Sequence, residues 1–396
     1  MNYKYSKKNK KHIRVSSNLF FKKREQKIKS VKKTKKNSKI NKTNIKNKTN
    51  IKNKTTIKPK TIIVKYKLTD DEIDKQEGIF YDVKYYDNIL DEDCDVYGIN
   101  ELGKKILLLK LRKNVIPNEI CIQAYKALES KAQQKNVNRG AAAGKLDLKT
   151  LPNYAKNTVD AGKYSVSFKI GSKSGSKSKG RLSNPVRSNV IGYYDVPDRN
   201  AVAKLGPGRT PHCRETQFMR DQVEKWQNVI PIVEEADIQF KKLVPLRHKI
   251  QLSQANKTPN FRIGKTAYST VTVNYNYRSA CHKDVGDLDE GFGNLMVLEK
   301  NKCLGPGEGI QINQSDNYYE FTGGYLGFPK YGIAVNPRQC DFLAMNVHEW
   351  HCNCKLGCSC SKKEKCKNEK HYGRMSLVCY LRKNMIQCDK KGFLKK

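Results

Sequence analysis

Tyr268-Ser-Thr-Val-Thr-Val-Asn-Tyr-Asn-Tyr277 is the stretch that decides the fold class, because its β-branched and aromatic residues predict a strand. Short runs of the same kind follow, separated by Gly, Asn, Asp or Pro, at residues 295–298, 331–335, 342–347 and 376–381. Upstream, apolar residues recur at helical spacing over 215–243, where Pro231 is expected to separate two helices. Helices followed by many short strands predict an α+β domain built round an antiparallel sandwich or barrel.

The chain has 396 residues, and its 78 Lys and Arg against 38 Asp and Glu give a formal net charge of +40. Residues 1–62 are mostly Lys, Asn, Thr, Ile and Ser, and Asn-Ile-Lys-Asn-Lys-Thr occurs twice in succession from position 44. We expect a disordered tail there, since so few apolar groups cannot offset the entropy of ordering. Two explanations account for the lysines of this segment. One is a role in nucleic-acid binding or nuclear targeting, and the other is compositional drift. The excess charge implies a polyanionic partner, with DNA as the candidate.

From residue 63 the composition is that of a folded domain, which we expect to extend over 63–396 with the strand-rich core at about 260–388. The longest apolar runs, such as residues 106–109, fall far short of the roughly 20 residues that span a bilayer. The N-terminus also lacks the apolar stretch of a secretory signal. We therefore expect a soluble intracellular protein whose 13 cysteines are reduced thiols or metal ligands rather than disulfides.

The sharpest chemical feature is His282-Lys-Asp284, directly after the first predicted strand. Residues i and i+2 of an extended chain point to the same face, so both side chains can bind one metal ion. A second histidine from a later strand would complete the two-histidine, one-carboxylate set that holds iron(II) and leaves three positions for a co-substrate and oxygen. His348 and His351, which follow the strand predicted at 342–347, are the two candidates.

A second feature is Arg374-Met-Ser376, at the start of the last predicted strand. Arg374 and Ser376 share a face of that strand. A buried guanidinium with a neighbouring hydroxyl holds the distal carboxylate of a dicarboxylic acid, since its planar fork binds a carboxylate bidentately. An ordinary salt bridge is the simpler reading of Arg374. His-x-Asp, strands, a distal His and Arg-x-Ser follow one another in this order. The complete order indicates such an iron site far more specifically than any one of these motifs does.

These motifs, over roughly residues 210–385, resemble those of the 2-oxoglutarate/Fe(II) dioxygenases. More narrowly, they resemble the branch that contains the TET methylcytosine oxidases and the thymine hydroxylases of base J synthesis. Two upstream segments, Arg139-Gly-Ala-Ala-Ala-Gly144 and Ser188-Asn-Val-Ile-Gly-Tyr-Tyr194, resemble the same branch less specifically. The resemblance implies a double-stranded β-helix, or jelly roll, and the cofactors Fe(II), 2-oxoglutarate and O2.

Carried over by position, the resemblance makes His282 and Asp284 iron ligands, Arg374 the 2-oxoglutarate anchor and Ser376 its support. His351 is the preferred distal ligand because His351-Cys-Asn resembles the His-Gly-Asn of relatives, and His348 is the alternative.

The resemblance also implies residues that contact the substrate. Asp287 matches a position where TET enzymes contact a flipped base through Asn, and Arg382 matches one where they carry His. Arg214, within the matched Cys213-Arg214 segment, is a third candidate. The first two differences argue against assigning the methylcytosine specificity of TET enzymes to this protein. The simpler alternative is that Asp287 and Arg382 pair with each other or with solvent.

A cysteine-rich insertion occupies residues 352–371, and six of the 13 cysteines lie between Cys340 and Cys366. A segment this polar and rich in lysine cannot form an apolar core. A tetrahedral zinc site is one physical means by which the insertion could be ordered. The predicted ligands, with Cys352 or His371 as substitutes, are Cys354, Cys358, Cys360 and Cys366. An exposed reduced loop is the alternative.

The sequence thus predicts a dioxygenase that hydroxylates the 5-methyl group of a pyrimidine in DNA, with thymine favoured and 5-methylcytosine next. Its location would be the nucleus or a viral replication compartment. Two rivals are a protein side-chain hydroxylase of the prolyl type and a catalytically silent, zinc-stabilised DNA-binding module. The sequence gives no indication of protein partners.

Overall fold

The strand predicted at 268–277 is present as Thr270–Tyr275 and lies inside a large, mostly antiparallel sheet. The computed structural model describes residues 58–146, 165–171, 177–206, 208–305, 308, 318–360 and 371–395, without the side chains of 165–171 and 177–182. These residues belong to the unit Ile57–Lys396. The predicted disordered tail, apart from 58–62, lies outside the described residues.

Seventeen strands occur among the described residues: β1 Lys60–Lys65, β2 Asn88–Leu90, β3 Cys94–Ile99, β4 Lys105–Arg112, β5 Ser165–Gly171, β6 Lys177–Ser183, β7 Ser188–Tyr194, β8 Arg214–Glu215, β9 Thr270–Tyr275, β10 Gly293–Glu299, β11 Phe321–Gly323, β12 Leu326–Phe328, β13 Ile333–Val335, β14 Phe342–Met345, β15 Cys352–Asn353, β16 Leu356–Cys358 and β17 Arg374–Tyr380. The α-helices of the same part of the chain are α1 Asp70–Asp74, α2 Asn118–Ala132, α3 Arg199–Leu205, α4 Gln217–Asp221, α5 Val223–Leu243, α6 Pro245–Ala255 and α7 Lys300–Cys303. Each of the five predicted strands is present within about two residues of its expected ends.

Two sheets form the strand-rich part of the domain. The major sheet has the order β1-β3-β4-β14-β10-β17-β9-β7-β8, and the minor sheet has the order β15-β12-β13-β2. Strands β11 and β16 pair separately, as do β5 and β6. All pairings are antiparallel except β1 with β3 and β2 with β13. This arrangement confirms the predicted α+β class with a jelly-roll core.

The central strands of the major sheet are buried on both faces, and β10 is an example in which every residue is buried. Met296 and Leu298 pack with helices α2 and α5, whereas Leu295 and Val297 pack with apolar residues of the minor sheet. Alternate side chains of a strand point to opposite faces, so one strand contributes to two cores. The molecule therefore has helices on one face of the major sheet and the minor sheet on the other.

The helices before the core differ from the prediction in one respect. Pro231 was expected to open a second helix, but it lies inside the 21-residue helix α5, and the break falls at Gln222 instead. Proline removes one helical hydrogen bond and crowds the preceding turn. Burial of residues on both sides of it, including Trp226 and Phe240, offsets that cost and keeps the helix continuous.

The strand-rich part also extends further upstream than the sequence indicated. Five of the nine strands of the major sheet, β1, β3, β4, β7 and β8, precede residue 260. Strand β4 pairs with β14, so that the apolar run around residue 108 completes the sheet beside the predicted core strands. Such long-range pairing has no local sequence signal.

The expectation that the cysteines are reduced is wrong for Cys213 and Cys388, which form a disulfide with a Cα–Cα distance of 6.3 Å. The two residues are 175 positions apart and meet where Met385 and Cys388 of the C-terminal segment pack with Cys213 and Phe261 in a small apolar cluster. Backbone N–H groups of His212 and Cys213 donate to the carbonyl oxygen of Gly392, which fixes the segment there. No helix among the described residues is long and apolar enough to cross a membrane.

Packing of helix α5 against the major sheet is expected to contribute strongly to the stability of the domain. Phe240 is completely buried and stacks on Tyr268 with ring centroids 6.2 Å apart. We expect Phe240→Ala to lower the free energy of unfolding by about 3–5 kcal/mol in urea titrations, because it leaves a cavity between helix and sheet. Ile238, on the same helix, is 47% exposed. Ile238→Ala is the matched control and should change stability by less than about 0.5 kcal/mol; equal losses in both variants would contradict this packing argument.

Candidate active site

His282 and His351 lie opposite each other on two antiparallel segments. Their backbones exchange hydrogen bonds in both directions, with N–O distances of 3.1 and 3.0 Å, and the N–H of Asp284 donates to the carbonyl oxygen of Val347. The side chain of Asp284 lies on the same face as that of His282 because the two residues are two apart. One ligand atom from each of His282, Asp284 and His351 lies within 4.8 Å of the others, the one group of this kind in the described part of the chain.

The two imidazoles present the same nitrogen to Asp284. Nε2 of His282 lies 3.6 Å from Oδ1 of Asp284, and Nε2 of His351 lies 3.8 Å from Oδ2. The other ring nitrogen, Nδ1, lies 2.8 Å from the Ala280 carbonyl oxygen in His282 and 2.9 Å from that of Glu349 in His351. A carbonyl oxygen only accepts, so each Nδ1 must donate, and each Nε2 keeps a free lone pair. This is the arrangement that orients histidines toward a metal.

Burial also favours the metal-binding form of His351. Its side chain is buried beside His282, and burial, followed by the charge of that neighbour, lowers the pKa of His351 to about 4. The ring is therefore neutral at physiological pH, as a ligand must be.

His348 lies close in sequence but makes a different contact. Its Nε2 lies 3.0 Å from the carbonyl oxygen of Leu288, to which it must donate. Its backbone N–H donates to Oδ1 of Asn346. His348 is absent from the three-residue group, so the geometry favours His351 over His348 as the partner of His282 and Asp284.

A cavity of about 420 Å³ opens in front of the three side chains. One part of its wall is apolar and comes from both sheets and the loop after β14: Leu295, Leu326, Met345, Val347 and Val378. Both upstream segments noted in the sequence also reach it, through Arg139, Ala141 and Ala142 from the first and Ser188 and Tyr194 from the second. The cavity is therefore assembled from segments as far apart in the chain as those of Glu77 and Arg382.

Arg374, at the start of β17, is buried to all but 3% of its surface. Two of its nitrogens, Nε and Nη2, are buried without a hydrogen-bond acceptor among the described residues. Burial, with a smaller repulsion from Arg338, lowers the pKa of the guanidinium to about 10, which still leaves it charged. An unpaired buried cation is costly, so this side chain fits a carboxylate ligand. The salt bridge considered from the sequence is absent from the described residues.

The backbone of Arg374 is held by Asn276, whose φ of 46° lies in the left-handed region that asparagine tolerates. The Arg374 N–H donates to Oδ1 of Asn276 at 2.8 Å, and the Asn276 N–H donates to the Arg374 carbonyl oxygen at 2.9 Å. Ser376, two residues on, lines the cavity and accepts from the amide of Asn274 at 3.4 Å. Asn276 is a positioning residue that sequence reasoning missed, since its role depends on a contact across β9 and β17.

Asp287 and Arg382 both line the cavity, and their backbones form an antiparallel bridge. The Arg382 side chain is paired with Asp195, to whose Oδ1 its Nε donates, and its guanidinium lies over the Tyr194 ring at 4.8 Å. Burial, followed by repulsion from Asp284, raises the pKa of Asp287 well above its usual range. The structure thus supplies Arg382 with an ion-pair partner that the sequence reading overlooked.

The third predicted substrate residue, Arg214, does not line the cavity. Its Nε donates to the carbonyl oxygen of Val196 at 2.7 Å, and its guanidinium lies 5.7 Å from the Tyr194 ring centroid. A direct contact between Arg214 and a base inside the cavity is therefore not part of this geometry.

The cysteines predicted to bind zinc are not gathered into a metal group in the described part of the chain. Cys354 is buried beside Tyr86, Cys352 and Trp350, and Cys358 is half-buried in β16. Cys360 is disulfide-bonded, which removes a thiolate from the predicted set. Cys366 lies outside the described residues. The substitutes are engaged elsewhere: Cys352 Sγ lies 3.1 Å from the Tyr86 hydroxyl, and the His371 ring lies 6.2 Å from that of Tyr319.

Residues 202–383 match the family model Tet_JBP, described as the oxygenase domain of the 2OGFeDO superfamily. Thymine dioxygenase JBP1-B of Trypanosoma cruzi (strain CL Brener) is 29% identical over 195 residues, which cover 49% of this chain and 19% of that protein. Thymine dioxygenase JBP1 of Leishmania braziliensis is 28% identical over 248 residues, or 62% of this chain and 25% of that protein. The chain thus spans about a quarter or less of the length of these relatives.

A bifunctional helicase and thymine dioxygenase, JBP2 of Leishmania tarentolae, is 27% identical over 202 residues, covering 51% of this chain and 15% of that protein. Among solved structures, NgTET1 in complex with 5mC DNA aligns with a TM-score of 0.41 and 11% identity, over 80% of this chain and 92% of that one.

Proposed function

We propose that this protein is a 2-oxoglutarate-dependent dioxygenase acting on the 5-methyl group of a pyrimidine in DNA, because residues 202–383 match the family model of the Tet_JBP oxygenase domain. The observation that carries the proposal is the convergence of His282, Asp284 and His351 at the wall of a cavity. Thymine is the favoured base, since several similar proteins are thymine dioxygenases, and 5-methylcytosine comes next.

We assign Fe(II) to His282, Asp284 and His351. Two imidazoles and one carboxylate on one face leave room for 2-oxoglutarate and O2 on the other. Bound iron would supply the oxidation, in which 2-oxoglutarate loses CO2 to become succinate and one oxygen atom enters a C–H bond of the methyl group. The protein fixes both Nε2 atoms through the hydrogen bonds that Nδ1 donates to backbone carbonyl groups.

We assign the distal carboxylate of 2-oxoglutarate to Arg374, with Ser376 as an additional hydroxyl partner. The two free guanidinium nitrogens support this assignment, because a carboxylate satisfies both in parallel hydrogen bonds. Arg374 is not itself among the residues that line the cavity, whereas Ser376, two residues along β17, is. Burial of the guanidinium strengthens an ion pair formed there.

The base must leave the duplex stack to reach the cavity, which costs a few kcal/mol. The net charge of +40 favours DNA binding and helps to offset this cost. With DNA as its substrate, the protein would act in the nucleus or in a viral replication compartment.

The decisive experiment is reconstitution with Fe(II) without oxygen, followed by incubation with 2-oxoglutarate, O2 and duplexes that contain thymine or 5-methylcytosine. We expect a 5-hydroxymethyl nucleoside in mass spectra of the digested DNA, with succinate formed in equal amount. Omission of 2-oxoglutarate is the control and should abolish the product.

Two other results would overturn the proposal. Succinate formed without a modified nucleoside would mean that the substrate is not DNA, and a peptide hydroxylase would be tested next. An iron-loaded protein that binds DNA but consumes no 2-oxoglutarate would be a silent DNA-binding module.

A further inference from the structure

A buried carboxylate lies directly opposite the buried guanidinium of Arg374. Glu299, the last residue of β10, is the partner of Arg374 in the antiparallel register of β10 with β17, and its side chain is fully buried. Residues opposite each other in such a pair project from the same face of the sheet, with Cβ atoms about 4.5–5.5 Å apart. A carboxylate and a guanidinium so placed can form a bidentate ion pair. They do not form it here, since Nε and Nη2 of Arg374 lack an acceptor among the described residues.

The carboxylate of Glu299 is occupied by Arg338 instead. Nε of Arg338 donates to Oε1 at 2.9 Å and Nη2 donates to Oε2 at 2.5 Å, the two parallel bonds of a bidentate pair. The backbone N–H of Gln339 also donates to Oε1, at 3.0 Å, and Nζ of Lys302 lies 3.1 Å from the same atom. Burial alone would raise the pKa of Glu299, but the hydrogen bonds from Arg338 and Gln339 lower that pKa to about 2. The carboxylate is therefore ionised at physiological pH and fully paired.

Two further contacts set the position of Arg338. Its backbone N–H donates to Oδ2 of Asp341 at 2.7 Å, and its guanidinium lies 4.2 Å from the centroid of the Phe321 ring. The guanidinium of Arg374 lies 5.8 Å from the same centroid. Two guanidinium groups thus lie near the single carboxylate of Glu299, and only that of Arg338 is paired with it.

We propose that Arg338 is a positioning residue that sequesters the carboxylate of Glu299 and thereby keeps Arg374 free for a carboxylate of a dicarboxylic acid. The inference rests on the proposed function, in which that acid is 2-oxoglutarate, and adds to it a residue that does not line the cavity. Without Arg338, an unpaired buried anion would face an unpaired buried cation, and both are costly. Pairing of Glu299 with Arg374 would relieve both costs and would block the proposed anchor.

Two other roles of Arg338 predict different results. If Arg338 contacted the ligand itself, Arg338→Gln would weaken binding, and a second substitution at Glu299 would not restore it. If Arg338 served stability alone, Arg338→Gln would lower the free energy of unfolding without changing the affinity for the ligand. Sequestration predicts that Arg338→Gln weakens binding and that Glu299→Gln in the same chain restores it.

The test is calorimetric titration of the iron-loaded protein with 2-oxoglutarate in the absence of oxygen. We expect Arg338→Gln to raise the dissociation constant by about 10-fold or more, because apparent affinity falls with the fraction of molecules whose site is free. The double variant Arg338→Gln/Glu299→Gln should return the constant to within about threefold of the wild-type value. Lys302→Gln is the matched control: it removes a 41% exposed cation from the same carboxylate, leaves the bidentate pair, and should change the constant by less than about twofold.

A more conservative variant gives the same comparison if Arg338→Gln does not fold. Arg338→Lys keeps the charge without the planar fork that binds both oxygens of Glu299. We expect a smaller loss of affinity for 2-oxoglutarate in Arg338→Lys, which Glu299→Gln again restores.

A crystal structure of the Arg338→Gln variant without 2-oxoglutarate separates this inference from the proposed function. We expect a carboxylate oxygen of Glu299 within about 4 Å of a guanidinium nitrogen of Arg374, the distance of an ion pair. If no variant binds 2-oxoglutarate but this ion pair forms, the proposed function fails while the sequestration of Glu299 stands. The inference is overturned by wild-type affinity in Arg338→Gln, by a loss that Glu299→Gln does not restore, or by a Glu299 carboxylate that stays apart from Arg374.

Discussion

His351→Ala is expected to weaken Fe(II) binding and to lower the rate of 2-oxoglutarate turnover by at least about 100-fold. The estimate is a lower bound, because loss of a residue that merely orients a metal ligand already costs about 10- to 100-fold. Removal of this imidazole leaves only His282 and Asp284 of the three-residue group. Iron content after anaerobic reconstitution and desalting measures the first effect, and succinate formation measures the second.

His348→Ala is the matched control for this prediction. It removes an imidazole three residues away, whose Nε2 contacts the Leu288 carbonyl oxygen instead of Asp284. We expect this variant to retain stoichiometric iron. If His348→Ala loses iron while His351→Ala keeps it, the assignment of the distal ligand is reversed.

Arg374→Gln is expected to raise the dissociation constant of 2-oxoglutarate by about 30-fold or more. Truncation of one partner of a buried, hydrogen-bonded charge pair costs about 2–5 kcal/mol, and each 1.4 kcal/mol is tenfold in affinity. Both nitrogens of Arg374 that lack an acceptor are buried, so the ion pair proposed here is a buried one. Calorimetry with the iron-loaded protein in the absence of oxygen gives the affinity directly.

Two further variants show whether the effect is specific. Arg374→Lys keeps the charge without the planar fork and should weaken binding less than Arg374→Gln. Arg112→Gln removes another partly buried guanidinium, which is already paired with Asp95 on β3, and should leave the affinity for 2-oxoglutarate unchanged. An unchanged affinity in Arg374→Gln would exclude Arg374 as the anchor, whatever the iron content of the variant.

The sequence alone predicted the fold class and the principal chemical groups. Strands β9, β10, β14 and β17 have local signals, because alternation and β-branched residues depend only on neighbours in the chain. The pairing of His282 with Asp284 was likewise predictable, since residues two apart on an extended segment share a face.

The distal part of the site was less accessible to sequence reasoning. His348 and His351 follow the same strand, so spacing alone could not separate them, and the resemblance was needed to prefer His351. The tertiary structure distinguishes them by contact: one ring faces Asp284, and the other donates to Leu288.

Contacts between segments far apart in the chain were decided only by the tertiary structure. The Arg382–Asp195 pair joins residues 187 positions apart, and the Cys213–Cys388 disulfide joins residues 175 apart. Pro231, which read locally as a helix boundary, lies inside a helix because packing on the sheet outweighs its local cost. Local preferences arise from a residue and its neighbours, whereas these contacts exist only after two sheets and the helices have packed, so the sequence determined the elements and the packing determined the partners.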